Sequence, residues 1–502
     1  MGIKSRVINI FANRSRKRIE HDALHARENQ HATFEMLIRE GKETEFGRQH
    51  GFQTIQNHSD FVRQVPIRDY EDLRPYIEGI IHGEADILWP GKPIYFAKTS
   101  GTTSGVKYIP ITRDSIPNHI GNARSALFNI TSRLSLKNLF DGKVLFLSGS
   151  PVLEKKGAIP TGRLSGIVNH WFPAWLRSNQ MPSFETNCIE DWEVKVDKIA
   201  RETLDSDLRI IGGIPPWVQM YYERVLQLSG KSTIKEVFPN LQLFVYGGVN
   251  YEPYRAQLEK LVGGPIAYLE TYPASEGFIA FQDLDDASAG LLLECNAGIF
   301  FEFVPTGEMH LPSPTRLPLD HVEVGQDYAL IMSTNAGLWA YSIGDTIEFV
   351  SRDPYRIKVT GRIKHFISAF GEHVIAKEVE EALRQTVALH PCLVNEFTVA
   401  PQVNPPDGQK PYHEWWIEFG EEPKDPAAFA SVLNMAMVRQ NLYYQDLIDG
   451  KILRPLVVQH LPSGSFKIYM QSIGKLGGQN KVPRLSNNRD IASSLESLLK
   501  RP

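Results

Sequence analysis

Apolar and polar positions along this 502-residue chain change period several times, and each change marks a different kind of element. Residues 15–85 mix acidic and basic side chains in a polar, helical pattern. Within it, Asp69 stands just ahead of a helical run, where a capping residue belongs. Two β-prone apolar runs, 94–97 and 108–111, then flank a loop of glycines and hydroxyls, which predicts a hairpin. A helix is predicted over 116–134 and a buried strand over 143–147. Strand-like runs at 208–213, 241–246 and 266–270 alternate with helical ones at 215–228 and 253–261. Such alternation argues for an α/β sheet with ligands at the strand ends. From 298 to 350 the pattern turns to strands (299–304, 328–332 and 337–341), which suggests an added β-barrel or sheet. After Gly361-Arg362 it restarts: helix 376–385, strand 395–399, a Pro/Gly-rich turn, strand 414–419 and helix 426–439. The expectation is therefore an α/β fold. Residues 1–361 would form a large N-terminal domain of α/β layers plus a β-barrel-like subdomain, and 362–502 a small α+β C-terminal domain.

Composition narrows the function. A net charge of −4 leaves no nucleic-acid footprint, so a phosphate-bearing ligand would be small. Cys188, Cys295 and Cys392 are odd in number and far apart. That argues against a disulfide scaffold or structural zinc and fits a reducing cytoplasm. Residues 1–18 are basic and lack the apolar core of a secretory leader. Val7, Ile8, Ile10 and Phe11 fit an amphipathic helix that either packs on the body of the protein or lies on an anionic membrane. No apolar run is long enough to span a bilayer, so no stable membrane insertion is expected.

Four clusters carry candidate chemistry. The first is the loop Ser100-Gly101-Thr102-Thr103-Ser104-Gly105, with Thr99 before it and Lys107 after it. Glycines let backbone approach a ligand, hydroxyls and free N–H groups surround phosphate oxygens, and a lysine supplies charge. The spacing is not that of a Walker loop; the alternative is a flexible surface turn. The second is Gly247-Gly248-Val249-Asn250 at a strand end, which lets a flat ring lie against backbone or simply turns the chain. The third is Thr271-Tyr272-Pro273-Ala274-Ser275-Glu276. Glu276 suits Mg²⁺ bridging phosphates, or Ser275 and Glu276 open a helix. The fourth is Tyr341-Ser342-Ile343-Gly344-Asp345, where Asp345 either accepts two ribose hydroxyls or sits in a hairpin turn. For an acyl pocket, Asn122, Arg124, Ser125 and Phe128 on the helix after the loop are candidates, as are His170, Trp171 and Trp175. His365 and His373 lack ligand spacing, so no metal beyond Mg²⁺ is expected.

In this order, and with Gly361-Arg362 closing the series, these motifs resemble the core motifs of adenylate-forming enzymes of the firefly-luciferase-like superfamily. The segment Ile299-Phe300-Phe301-Glu302-Phe303-Val304-Pro305 and the tail Gly478-Gln479-Asn480-Lys481-Val482-Pro483-Arg484 are similar to one branch, the auxin-responsive (Gretchen Hagen type) acyl-acid amido synthetases. The resemblance runs from about residue 60 to 490. It implies ATP and Mg²⁺ as cofactors, with a small carboxylic acid and an amino acid as substrates. The acid is adenylated with loss of pyrophosphate, and the amine then displaces AMP. It further implies that Ser100 to Gly105 hold phosphates, that Gly247 to Asn250 line the adenine, and that Thr271 and Tyr272 contact α-phosphate and adenine. Glu276 would hold the metal and Asp345 the ribose. Arg362 and Lys364 would form the hinge of a mobile C-terminal domain, and Lys481 would approach the phosphates. Lys107 departs from the superfamily, falling one residue nearer the loop than in many members. An acyl-CoA ligase and a non-catalytic binding protein of the same fold are the rival readings. The acyl acid, the amine and the oligomeric state are not legible in the sequence.

Overall fold

A computed structural model describes residues 3–100, 106–171, 174–189, 191–248, 251–309, 311–363, 366–367, 374–403, 405–449, 453–475, 481–486 and 489–499. The chain forms two compact units. One comprises 1–251, 256–343 and 347–359, the other 252–255, 344–346 and 360–502.

The first unit opens with helices, as the polar 15–85 pattern predicts. Ile3–Leu24 packs Ile8, Ala12 and Ile19 against Ala126, Phe128 and Phe140. Asp69 caps Tyr70–Ile81, its carboxylate accepting from the Glu71 and Asp72 N–H groups in a reciprocal capping box. The predicted hairpin is present, Tyr95–Ser100 pairing antiparallel with Val106–Ile111 and ending at Ser100 opposite Val106. The helix after it begins as a π-helical stretch, Pro117–Asn122, and continues as Ala123–Arg133.

Among the described residues the main sheet has eleven strands. Its parallel part runs through Gln180–Met181, Lys143–Phe146, Leu208–Gly212, Leu243–Gly247 and Ala267–Pro273, the predicted β-turn-α alternation. From Phe278–Phe281 onward it turns antiparallel. The strands expected as a barrel-like addition thus continue the same open sheet; strand periodicity cannot distinguish one sheet from two.

The run 337–341 does not form the expected strand. It is a turn, and the next strand, Tyr341–Arg352, begins only where the run ends. Gly337 takes a positive φ of 85°, and an added Cβ there would lie 2.6 Å from the backbone of Leu88. Trp339 donates Nε1–H to the Leu88 carbonyl at 2.9 Å. The run is apolar because this turn is buried, and burial resembles a strand when only hydrophobicity is read.

The second unit is the expected α+β body. Leu393–Gln402, Tyr412–Glu421 and Val457–Leu461 form a three-stranded sheet with Tyr412–Glu421 at its centre. Trp415 packs into a core with Phe397, Val379 and Phe429, whereas neighbouring Trp416 belongs to another with Phe466 and Leu495. Successive side chains point to opposite faces of a strand, so both faces of this sheet are covered.

Candidate nucleotide site

At the loop, the structure places its two flanking strands. Ser100 ends the first; Gly101, Thr102, Thr103, Ser104 and Gly105 lie outside the described residues. Tyr70 braces the second strand, its hydroxyl accepting the Tyr108 N–H at 2.9 Å. The Lys107 ammonium lies over the Tyr70 ring, 5.7 Å from its centre.

Gly247 is the last residue of its strand rather than the first after it. It stands opposite Thr271 in the parallel pair, where a Cβ would meet the Thr271 carbonyl oxygen at 2.2 Å. A glycine is therefore required there by the neighbouring strand alone. Gly248 follows with φ 75°; Val249 and Asn250 lie outside the described residues. Thr271 and the buried Tyr272 belong to the strand Ala267–Pro273, which runs three residues further than the sequence pattern indicates. The Thr271 hydroxyl donates to the Tyr246 carbonyl at 2.9 Å and ties the two strands together.

Ser275 and Glu276 do not open a helix. They sit in a hairpin turn, in which Ala274 and Gly277 exchange backbone hydrogen bonds of 2.8 and 3.2 Å. Two side chains hold this turn, Asn118, which belongs to none of the motifs, and Tyr341, which opens the fourth. Asn118 accepts the Phe278 N–H at 2.7 Å and donates to the Phe278 carbonyl at 3.1 Å, as a neighbouring strand would. Tyr341, buried, donates its hydroxyl to Glu276 Oε1 at 3.4 Å. Burial first, and the Glu276 charge next, hold the Tyr341 phenol well above its ordinary pKa, so it stays a donor. Gly277 has no room for a side chain, because Ile299 Cδ1 stands 2.4 Å from where a Cβ would be. The half-buried Glu276 carboxylate is thereby presented at the carboxyl end of a parallel strand. One such carboxylate beside phosphate oxygens is the donor set Mg²⁺ favours.

Asp345 is buried on the strand Tyr341–Arg352, so the hairpin-turn reading of Gly344-Asp345 does not hold. Gly344 before it has φ 85°, and its carbonyl accepts the Ile363 N–H at 2.8 Å. Thr346 and Thr360 are joined through their hydroxyls at 2.9 Å. Arg362 ends the strand Tyr355–Arg362; Lys364, His365 and His373 lie outside the described residues.

Lys481 is exposed in the segment 481–486. That segment is fastened beside the strand Leu393–Gln402. Val399 donates to the Arg484 carbonyl and Ser486 to that of Val399, both at 2.9 Å, and the Thr398 hydroxyl reaches the Pro483 carbonyl at 2.7 Å. Arg484, the last residue of the family-like tail, pairs with Glu380 at 3.2 Å and with Glu396, its guanidinium over the Phe397 ring.

The acyl-side candidates separate clearly. Arg124 is exposed, the Ser125 hydroxyl accepts from Arg18 at 2.8 Å, and Phe128 is core. Asn122 is buried, and its Nδ2 has no hydrogen-bond partner among the described residues. His119, one turn earlier and fully buried, is held neutral, burial lowering its pKa to about 4. His170 donates Nε2–H to the Pro151 carbonyl at 2.8 Å, Trp171 is half-exposed, and the Trp175 side chain lies outside the described residues.

Comparison with known proteins bears on the whole chain. Residues 15–170 match the GH3 family N-terminal domain, 292–362 the GH3 family central domain and 377–490 the GH3 family C-terminal domain. The chain belongs to the GH3 family. The jasmonoyl–L-amino acid synthetase JAR4 of Nicotiana attenuata is 23% identical to this GH3 chain over 64% of it and 66% of that protein. The indole-3-acetic acid-amido synthetase GH3.15 of Arabidopsis thaliana is 24% identical over 93% and 92%. The structure of a GH3.15 acyl acid amido synthetase in complex with 2,4-DB has the same fold, with a TM-score of 0.80 over 97% of this chain and 96% of that one at 17% identity. More distantly, a 2-hydroxyisobutyryl-CoA ligase shares the fold at a TM-score of 0.56, 13% identity, and 97% and 92% coverage. The family is the one the ordered motifs resemble, and the likeness to the CoA ligase is one of fold.

Proposed function

We propose that this GH3 protein is an ATP-dependent acyl-acid amido synthetase acting on a small carboxylic acid and an amino acid. In the first step a carboxylate oxygen attacks the α-phosphorus of ATP and the bond to the β-phosphate oxygen breaks, giving acyl-adenylate and pyrophosphate. In the second the amine attacks the acyl carbon, loses a proton, and AMP departs. Such transfers need positioning and charge stabilisation more than a strong base. The observation that carries the reading is Glu276, held in a tight turn by Tyr341 and Asn118 at the end of a parallel strand, in a chain of this family.

Glu276 would hold Mg²⁺, which supplies charge neutralisation to the phosphates. The loop Ser100 to Gly105 would cradle those phosphates, and Gly247 to Asn250, Thr271 and Tyr272 would border the nucleotide. Asp345 would accept the ribose hydroxyls. Arg362 would serve as the hinge of the 362–502 domain, and Lys481 would bring its charge to the transferring phosphate. Asn122, with its buried amide unmatched, is the candidate to meet a polar atom of the acid. The unpaired Cys188, Cys295 and Cys392 support a cytoplasmic setting, and no helix among the described residues is long and apolar enough to cross a membrane.

The test is pyrophosphate release from ATP and Mg²⁺ with a panel of small carboxylic acids, with and without mixed amino acids and with and without CoA. Acid-dependent release with an amide product is expected. A thioester product would move the protein to the CoA ligases, and ATP binding with no release across the panel would favour a non-catalytic role.

A further inference from the structure

The helix Ile3–Leu24 has two apolar surfaces and needs only one. At about 100° per residue, Ile8, Ala12 and Ile19 share the face that packs on the body of the protein. On the opposite side, Ile10, Arg14, Lys17, His21 and Leu24 fall on one stripe, with Phe11 beside it. The same sequence spacing extends back to Val7 and Ile3. Ile10 is 55% exposed, Phe11 50% and Leu24 72%. Scattered apolar residues on a surface are ordinary. Here they are aligned, and basic residues are interleaved with them.

Charge sharpens the reading. The helix carries Lys4, Arg6, Arg14, Arg16, Lys17 and Arg18 against only Glu20 and Asp22, in a chain whose net charge is −4. Some of the basic residues serve the fold. Arg16 lies 3.6 Å from Glu20, and Arg18 reaches Asp22 and the Ser125 hydroxyl. Arg14 and Lys17 are exposed on the outward stripe, and no ion pair holds them among the described residues. A stripe in which exposed apolar side chains, Ile10 and Phe11 on one side and Leu24 on the other, border Arg14 and Lys17 suits a surface that is anionic and has an apolar layer beneath it. Nucleic acid offers the charge without the apolar layer.

We propose that the outward stripe of this helix docks on an anionic lipid bilayer, with Ile10 and Phe11 entering the boundary between headgroups and acyl chains and Arg14 and Lys17 meeting lipid phosphates. The attachment is peripheral and reversible, since the helix's other face stays packed on the protein.

The experiment is co-sedimentation of the 502-residue chain with phosphatidylcholine vesicles, with or without phosphatidylglycerol, at low and high salt. Binding is expected only to the anionic vesicles, and to weaken with salt. Arg14→Glu with Lys17→Glu should lower vesicle affinity about tenfold or more. Phe11→Ser should weaken it separately, without abolishing the salt dependence. None of the three residues belongs to the proposed nucleotide site, so acid-dependent pyrophosphate release should match the parent protein and report that each variant is folded. No sedimentation with anionic vesicles, or binding unaffected by all three substitutions, would overturn the proposal. So would a dimer in lipid-free solution that Phe11→Ser converts to monomer, because the stripe would then belong to a second copy of the chain.

Discussion

Asn118 and Tyr341 shape the Glu276 turn. Asn118 is not marked by the sequence, and Tyr341, which opens the fourth motif, carries no local sign of its bond to Glu276. Asn118 lies 160 positions from its partner Phe278, and Tyr341 lies 65 from Glu276. A side chain whose role is defined by so distant a partner leaves no local spacing to read. The residues that were legible are those whose chemistry is local: a run of hydroxyls and glycines, a carboxylate after a strand. Asn118→Ala removes two hydrogen bonds to one backbone unit, about 1 kcal/mol each. It is expected to raise the Mg²⁺ concentration giving half-maximal pyrophosphate release and to lower kcat, with little change in KM for the acid. A Mg²⁺ requirement unchanged from the parent would show that the clamp does not position Glu276. Asp345→Ala is expected to weaken ATP binding more than tenfold, about 1.4 kcal/mol or more; calorimetry showing parental affinity would remove Asp345 from the ribose site.

Elements were legible where hydrophobic period and turn chemistry agreed. The alternating strands and helices between 208 and 273, and those after 376, stand close to where the pattern puts them. Where the two disagreed, the reading failed. The apolar run 337–341 folds as a buried turn around Gly337, and the strand Ala267–Pro273 runs on through Thr271 and Tyr272 because it pairs with Gly247. Pairing between strands is set by tertiary register, which a single strand's composition does not encode. Gly247→Ala would drive a methyl into the Thr271 carbonyl and should cost about 1–3 kcal/mol. Chemical denaturation should report this as a lower midpoint at constant slope. The tail segment 481–486 is an element of another kind, fixed to the sheet of the second unit by backbone pairing and Arg484. Lys481→Ala, at its exposed start, should leave the denaturation midpoint unchanged while slowing adenylate formation. Pyrophosphate release at the parental rate would exclude its part in transfer.

At the scale of the whole molecule, stability against pH reflects groups remote from the nucleotide. Glu294 is buried, and burial pushes its pKa up to about 7, with Asp22 adding and Arg18 opposing. The folded state then holds a proton that the unfolded chain has released. Stability contributed by Glu294 is present below its ordinary pKa near 4.5 and is lost as pH rises toward 7. Glu294→Gln should therefore raise the melting temperature more at pH 8 than at pH 5. An equal shift at both would show that the carboxyl does not titrate in this range. Neither the class of fold nor the family needed such long-range facts. Alternating periodicity carried the fold class and ordered motifs the family, whereas continuity of the antiparallel strands with the parallel sheet emerged only from the three-dimensional arrangement.

The paired hydrogen bonds of Asn118 have a practical reach for anyone redesigning the acid that the protein accepts. Because one carboxamide stitches the start of the π-helical turn to the hairpin bearing Glu276, rewriting that turn shifts two things at once. On the proposed reading, libraries that vary Asn122 while leaving Asn118 untouched would be expected to alter the acid and to keep the Glu276 turn. Libraries that include Asn118 would, on the same reading, mix changes of specificity with loss of turnover, and the two would be hard to separate in a screen.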